Sequence, residues 1–217
     1  MTNLIVVRHG QSVANQEDKF AGHSDFDLTD LGRTQAELAA EYIKAHFKVD
    51  AAYASDLKRA YNTALPTARA FGLELHGDCG LREIYAGEWE AMDFSKVISD
   101  YGEDFVLWRD DFAAAYCPGG ETVAELSKRV CDTVQRICKD HDGEIVLIAT
   151  HASPVRAIQS AASGQSTSDI NFVSNASINL FTYDNGKLAI KALNIVDHLG
   201  DLRTDLPASL ENNPKQS

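Results

Sequence analysis

Two stretches of this 217-residue chain place an imidazole directly after an apolar run. Leu4-Ile5-Val6-Val7 leads into Arg8-His9-Gly10, and Ile145-Val146-Leu147-Ile148-Ala149 leads into Thr150-His151-Ala152. A third apolar run, Ala51-Ala52-Tyr53-Ala54, stops at Ser55 and is followed by Asp56-Leu57-Lys58-Arg59-Ala60. Arg59 falls in the first turn of the helix predicted there, where the helix dipole opposes a cation. A bound anion would compensate it; a solvated helix arginine is the alternative. Brought together, Arg8, His9, Arg59 and His151 would surround an anion with guanidinium and imidazole donors, and a guanidinium matches phosphate oxygens in bidentate fashion. Phosphoryl chemistry is what such a group could do. The sequence has no G-x-x-x-x-G-K-[ST] loop, no G-x-G-x-x-G and no H-E-x-x-H or other metal-ligand cluster. A reaction without metal or cofactor is therefore expected, with an imidazole as nucleophile.

Those residues need a scaffold that brings strand ends together. Short apolar runs ended by Gly or a polar residue read as core strands, and open α/β sheets bind ligands at the carboxyl ends of such strands. If the runs ending at His9 and His151 are neighbours in a parallel sheet, the two histidines converge. Between the runs lie helical patterns: one through Leu38, Tyr42, Ile43 and Phe47 with Thr29 and Asp30 as caps, and one over residues 56–71 closed by Gly72. A third starts near Glu121 and carries Val123, Leu126, Val130, Val134 and Ile137 on one stripe, and a fourth covers 154–162. Shorter helical patterns cover 94–101 and 104–116, and 73–76 is a further strand candidate. Residues 177–183 and 188–195 flank Asp184-Asn185-Gly186, a hairpin signal. The alternation predicts one three-layer α/β domain over 1–205: a mostly parallel central sheet, helices on both faces, an antiparallel strand at the edge. The polar stretch 206–217 is expected to be a mobile tail.

Bulk properties narrow the partners. Twenty Lys and Arg stand against 32 Asp and Glu, a net charge of −12, which argues against a general binder of nucleic acid or anionic membrane. No apolar stretch is long enough to cross a bilayer, and no signal-peptide pattern opens the chain, so a cytoplasmic protein is expected. Cys79, Cys117, Cys131 and Cys138 form no C-x-x-C pair and read as reduced thiols. The oligomeric state is not legible in the sequence.

The motifs together resemble the histidine phosphatase superfamily, in its phosphoglycerate mutase-like branch. Arg8-His9-Gly10-Gln11-Ser12 with Asn15 resembles the signature, and Asp27-Leu28-Thr29 with Leu31-Gly32 the loop into the first helix. Ser55-Asp56-Leu57-Lys58-Arg59-Ala60 resembles the second arginine motif, and Leu81-Arg82-Glu83 with Gly87-Glu88-Trp89-Glu90 the acid-bearing loop. Pro118-Gly119-Gly120-Glu121 and Thr150-His151 complete an ordered set over roughly residues 4–156. The resemblance implies attack on phosphorus by His9 to form a phosphohistidine, with Arg8, Arg59 and His151 clamping the phosphate. It assigns Glu83 as general acid and base, where spacing alone leaves Glu83, Glu88 and Glu90 as equals. Asn15, Gly22 and the backbone at Ala152 are implied phosphate contacts. His23 and Arg82 are candidate substrate contacts or ordinary surface residues, and Trp89 reads as core. Two departures stand out: Gln11 where relatives carry Glu, and Ala152 where Gly is usual, which is compatible with a backbone contact if its φ is negative.

Three functions fit this set: a phosphomonoesterase acting on a small phosphorylated metabolite, a phosphoglycerate mutase-type transferase, and a phosphate-binding module without turnover. Residues 89–116, the expected lid, hold seven carboxylates (Glu90, Asp93, Asp100, Glu103, Asp104, Asp110, Asp111) against Lys96 and Arg109. Like-charge repulsion from such a lid disfavours a multiply charged substrate and points to the phosphatase; a solvated helix face is the alternative use of those carboxylates.

Overall fold

The opening run is apolar on both faces, and that makes it a central strand. In β1 (Thr2–Arg8) Leu4 and Val6 point to one side of the sheet and Ile5 and Val7 to the other, all four buried. The computed structural model describes residues 1–205, so the expected tail lies outside the described residues. After β1 come α1 (Val13–Gln16), capped by Ser12, and α2 (Asp30–His46), capped by Thr29. β2 (Ala51–Ala54), α3 (Lys58–Phe71) and β3 (Leu75–Gly77) follow. The lid holds α4 (Phe94–Asp100) and α5 (Gly102–Asp110). Then come α6 (Val123–Asp140), β4 (Ile145–Thr150), α7 (Ala152–Ser163), β5 (Ile178–Asp184) and β6 (Lys187–Ile195).

The sheet runs β3-β2-β4-β1-β5-β6. Ile5, Val7, Leu147 and Ala149 pack with Ala39 and Ile43 of α2 and Ala64 and Ala68 of α3. On the other face Leu4, Val6, Val146 and Ile148 pack with the α6 stripe and with Val155 and Ile158 of α7. This is the expected three-layer α/β domain. The antiparallel edge is a hairpin. β5 runs antiparallel beside the central β1, and β6, antiparallel to β5, forms the edge. A strand joined to its predecessor by a two-residue turn must reverse; here Asn185 and Gly186 supply the positive φ of 48° and 82° that this turn requires. The helix expected over 104–116 divides, because Asp111 (φ −137°) breaks the helical path before a short turn at Phe112–Ala114.

Parallel pairing of β1 with β4 sets Arg8 opposite Thr150, and the His9 N–H donates to the Thr150 carbonyl at 2.9 Å. Both histidines therefore leave the sheet side by side. β2 flanks β4 on its other side, with the Ser55 N–H donating to the Ala149 carbonyl at 2.9 Å. The loop after β1 rests on the start of α2 through a glycine pair. A Cβ on Gly32 would lie 2.0 Å from the Gln11 carbonyl oxygen, and one on Gly10 would lie 2.5 Å from the Gly32 carbonyl oxygen. The neighbour in each case is backbone and has no rotamer to yield. Gly32→Ala is expected to destabilise the chain by about 1–3 kcal/mol, the usual scale of overpacking. A urea midpoint equal to that of the unaltered chain would contradict this close contact.

Candidate active site

The cavity at the carboxyl edge of the sheet is lined by His9 and Arg8 from β1 and its exit, Asn15 from α1, Arg59 from α3, Glu83, and Ala152 and Ser153 from α7. Each element delivers its residue for a local reason. Gly10 turns the chain after β1, and its N–H donates to the Thr63 hydroxyl at 3.0 Å, tying the loop to α3. The Gln11 N–H donates to Gln35 Oε1 of α2 at 2.8 Å. Asn15 Oδ1 accepts from the Ser12 N–H at 3.0 Å and from the Asn175 amide at 3.3 Å, which orients its side chain.

The His9 ring has its tautomer fixed. Nδ1 lies 2.7 Å from the Gly10 carbonyl oxygen, which can only accept, so Nδ1 carries the proton and Nε2 keeps its lone pair. Burial, and then the charges of Arg59 and Arg8, hold its pKa well below 6.5. His151 is fully buried, its ring edge-on to His9 with centroids 5.1 Å apart. Burial first, then Arg59, likewise keeps it neutral. Its Nε2 is 2.8 Å from the Ser55 hydroxyl. Arg8 and Arg59 are buried too, and burial lowers each pKa to about 10, with Glu83 acting in the opposite direction on both. Both remain cations at neutral pH. Arg8 donates to the Val173 carbonyl, and Arg59 donates to the carbonyls of Gly22 at 2.8 Å and Ser24 at 2.9 Å. Arg8 Nε, Arg59 Nε and His151 Nδ1 are buried with no partner among the described residues. These three nitrogens, on residues packed around His9, are donors that an anion could take up.

Glu83 is half-buried; its Oε1 accepts from the Ile84 N–H at 2.9 Å and its Oε2 faces the Ser153 N–H at 3.4 Å. Its backbone carbonyl is held by the His23 ring at 2.8 Å and by Arg129 at 3.1 Å. Glu88, in contrast, accepts from the Tyr101 hydroxyl on the surface. Ala152 begins α7 with helical, negative φ, so the amides at that helix start face the cavity with the positive end of the dipole.

Not every expected residue faces the cavity. Arg82 makes a two-point ion pair with Asp56 at 2.5 and 2.6 Å, which turns it away. His23 lies behind the wall, its ring tilted against Tyr85 and bonded to the Glu83 carbonyl. His151 also sits behind His9 and not on the cavity surface. Gly22 does line it. The lid behaves differently from its charge count: it contributes Phe94 and Trp108 to the wall, beside Phe20 and Phe172, and none of its seven carboxylates. Asp104 accepts from Tyr116, Asp111 from Ser168, and Glu90 turns inward to backbone amides. The repulsion expected of an acidic lid is thus replaced by an apolar wall.

Sequence reasoning missed Thr63, Gln35, Asn175 and the aromatic wall. Asn175 is buried and donates to the His9 carbonyl at 3.1 Å. Phe172 and Asn175 lie in an irregular segment with no periodic signal; Ser55 was visible as the end of a strand and the start of the second arginine motif, without its contact to His151.

Residues 4–196 match the family model of the histidine phosphatase superfamily, branch 1. The chain belongs to this superfamily. It is a phosphoric monoester hydrolase of the histidine phosphatase type. Phosphoserine phosphatase 1 of Hydrogenobacter thermophilus is 34% identical over 203 residues, covering 93% of this chain and 96% of that protein. The structure of a mycobacterial glucosyl-3-phosphoglycerate phosphatase complexed with VO3 superposes with a TM-score of 0.82 at 26% identity, covering 88% of this chain and 98% of that one. A phosphoserine phosphatase mutant from Entamoeba histolytica, in complex with phosphoserine, gives 0.77 at 27% identity, covering 92% and 100%. Among the described residues of this histidine phosphatase, no helix is long and apolar enough to cross a membrane.

Neutral buried imidazoles link its folding to pH. Unfolded, His9 and His151 take up protons near pH 6.5; folded, only at a lower pH. Between those values the unfolded chain binds more protons, so stability rises with pH, is fully present above 6.5 and is lost as pH falls below it. His198, lowered by burial, adds to the trend. The urea midpoint is expected to fall between about pH 7 and pH 5, and to fall less in His9→Asn. A flat midpoint across that window would refute the neutral, buried state of these rings.

Proposed function

We propose that the chain hydrolyses a small phosphomonoester through a covalent phosphohistidine at His9. The observation that carries this is the His9 tautomer: Nδ1 is fixed as a donor to the Gly10 carbonyl at 2.7 Å, so Nε2 is an unprotonated nucleophile. In the first step Nε2 bonds to phosphorus in line as the ester P–O bond breaks, and Glu83 gives the departing oxygen a proton taken up with the substrate. In the second, Glu83 takes a proton from water, whose oxygen bonds to phosphorus as the N–P bond breaks. Arg8, Arg59, Asn15 and the amides of Ala152 and Ser153 hold the transferring oxygens, and the Nδ1–H of His151, buried edge-on to His9 with Ser55 donating to its Nε2, meets them once bound phosphate is drawn against the His9 ring. Fixed donors at those oxygens supply most of what phosphoryl transfer requires. The unpartnered nitrogens of Arg8, Arg59 and His151 support this arrangement.

The leaving group would lie against Phe20, Phe94, Trp108 and Phe172. Phosphoserine, named with two of the relatives, is the substrate to try first, and an aryl phosphate fits the same wall. His9→Ala is expected to abolish both turnover and acid-trapped phosphoenzyme. Glu83→Gln should lower kcat about 10²–10⁴-fold on phosphoserine, and less on a phenol ester that leaves without a proton. Full turnover by His9→Ala would end the nucleophile assignment. Primer-dependent isomerisation of 3-phosphoglycerate as the main reaction would make the chain a mutase, and phosphate binding without turnover would make it a binding module.

A further inference from the structure

One carboxylate beside the site has no part in that chemistry, yet it is saturated with donors. Glu90 Oε1 accepts from the N–H of His23 at 2.7 Å and of Ala86 at 2.9 Å; Oε2 accepts from the N–H of Ser24 at 2.7 Å and its hydroxyl at 2.5 Å. Three of the four donors belong to residues 23 and 24. The same short segment turns its Gly22 and Ser24 carbonyls to the two terminal nitrogens of Arg59, at 2.8 and 2.9 Å. Gly22 has φ +49°, and a Cβ there would lie 2.1 Å from Glu90 Oε1. The carboxylate thus fills the place a side chain would take, and the loop can pass only as glycine.

A guanidinium is planar, so two carbonyl acceptors on its two terminal nitrogens fix both its position and its plane. The aim of Arg59 is therefore set by backbone, and the backbone is set by Glu90. Ordinary loop residues would not hold such a setting, because a short irregular segment has little packing of its own. Glu90 also follows Trp89, which is fully buried, so its anchor is rigid.

We propose that Glu90 is a positioning residue: by holding residues 22–24 it aims the Arg59 guanidinium at the phosphate site. The inference rests on the reading of Arg59 as a phosphate clamp. It also connects two loops, because Ala86 ties Glu90 to the segment bearing Glu83, and the His23 ring donates to the Glu83 carbonyl at 2.8 Å. Acid and clamp then share one support.

Glu90→Gln tests this with little change of shape. Each carboxylate oxygen faces two donors, so either orientation of the amide sets an NH2 group against donors. Inorganic phosphate is the probe, its Kd taken from the rise in Tm with phosphate concentration. Unaltered chain, Glu90→Gln, Arg59→Lys and the double variant form a cycle, with KM and kcat on an aryl phosphate measured alongside. Glu90→Gln is expected to weaken phosphate binding on the order of tenfold in the native background and no more than roughly twofold in the Arg59→Lys background. KM should rise by more than kcat falls. Equal weakening in both backgrounds, or no weakening in the native one, would overturn the proposal. If Arg59→Lys alone leaves phosphate binding unchanged, the clamp reading fails and this inference goes with it. Ser24→Ala removes one donor to Glu90 and keeps both carbonyls. It should show the same non-additivity at smaller amplitude, and it decides between the outcomes if Glu90→Gln does not fold.

Discussion

Two arginines and two histidines are buried together at the carboxyl edge of one sheet, and the surrounding structure is arranged around that concentration of positive charge and unsatisfied nitrogen. Burying a guanidinium without acceptors is costly, and a second one beside it adds repulsion. The chain meets the cost with backbone. Val173 accepts from Arg8, Gly22 and Ser24 accept from Arg59, and Glu83 supplies opposite charge to both. The imidazoles avoid the cost by staying neutral. What remains unmet is three orphaned nitrogens, on Arg8 and Arg59, which line the cavity, and on His151, which packs against His9.

That arrangement explains why loops with little regular structure are tied so heavily. Residues 22–24 are held by Glu90, the start of the loop bearing Glu83 by Arg129, whose guanidinium reaches the carbonyls of Gly80, Arg82 and Glu83, and the exit of β1 by Thr63, Gln35 and Asn175. The Arg129 side chain is in turn paired with Glu121 at 2.8 Å. Loops position groups poorly when left to themselves, and charge-assisted bonds from rigid helices correct this. α3 and α6 thus serve both as core layers and as supports for the site.

The wall opposite His9 follows a different logic. Phe20, Trp89, Phe94, Trp108 and Phe112 form a chain of edge-on and tilted ring contacts that belongs to the hydrophobic core and ends at the cavity. The lid is therefore an extension of the core, with Asp104 bonded to Tyr116, Asp111 to Ser168, Asp110 to Arg109 and Glu90 to backbone amides. Arg156 of α7 joins it from behind, its guanidinium between Phe112 and Phe172 at 4.1 and 4.2 Å from the ring centres.

The strands, their order of appearance and the convergence of Arg8, His9, Arg59 and His151 were legible in the sequence, because short apolar runs and helical stripes are local signals and parallel neighbours bring their ends together. The Asn185-Gly186 turn was legible for the same reason. Spacing alone left Glu83, Glu88 and Glu90 equivalent, since three carboxylates in one irregular loop carry no periodicity to separate them. Tertiary structure distinguished them: Glu83 reaches the cavity, Glu88 meets Tyr101 at the surface, and Glu90 turns back to the amides of residues 23, 24 and 86. It also drew Arg82 to Asp56 and gave the lid an aromatic inner face. Composition counts charges without direction, and only packing decides which side of a loop faces the site.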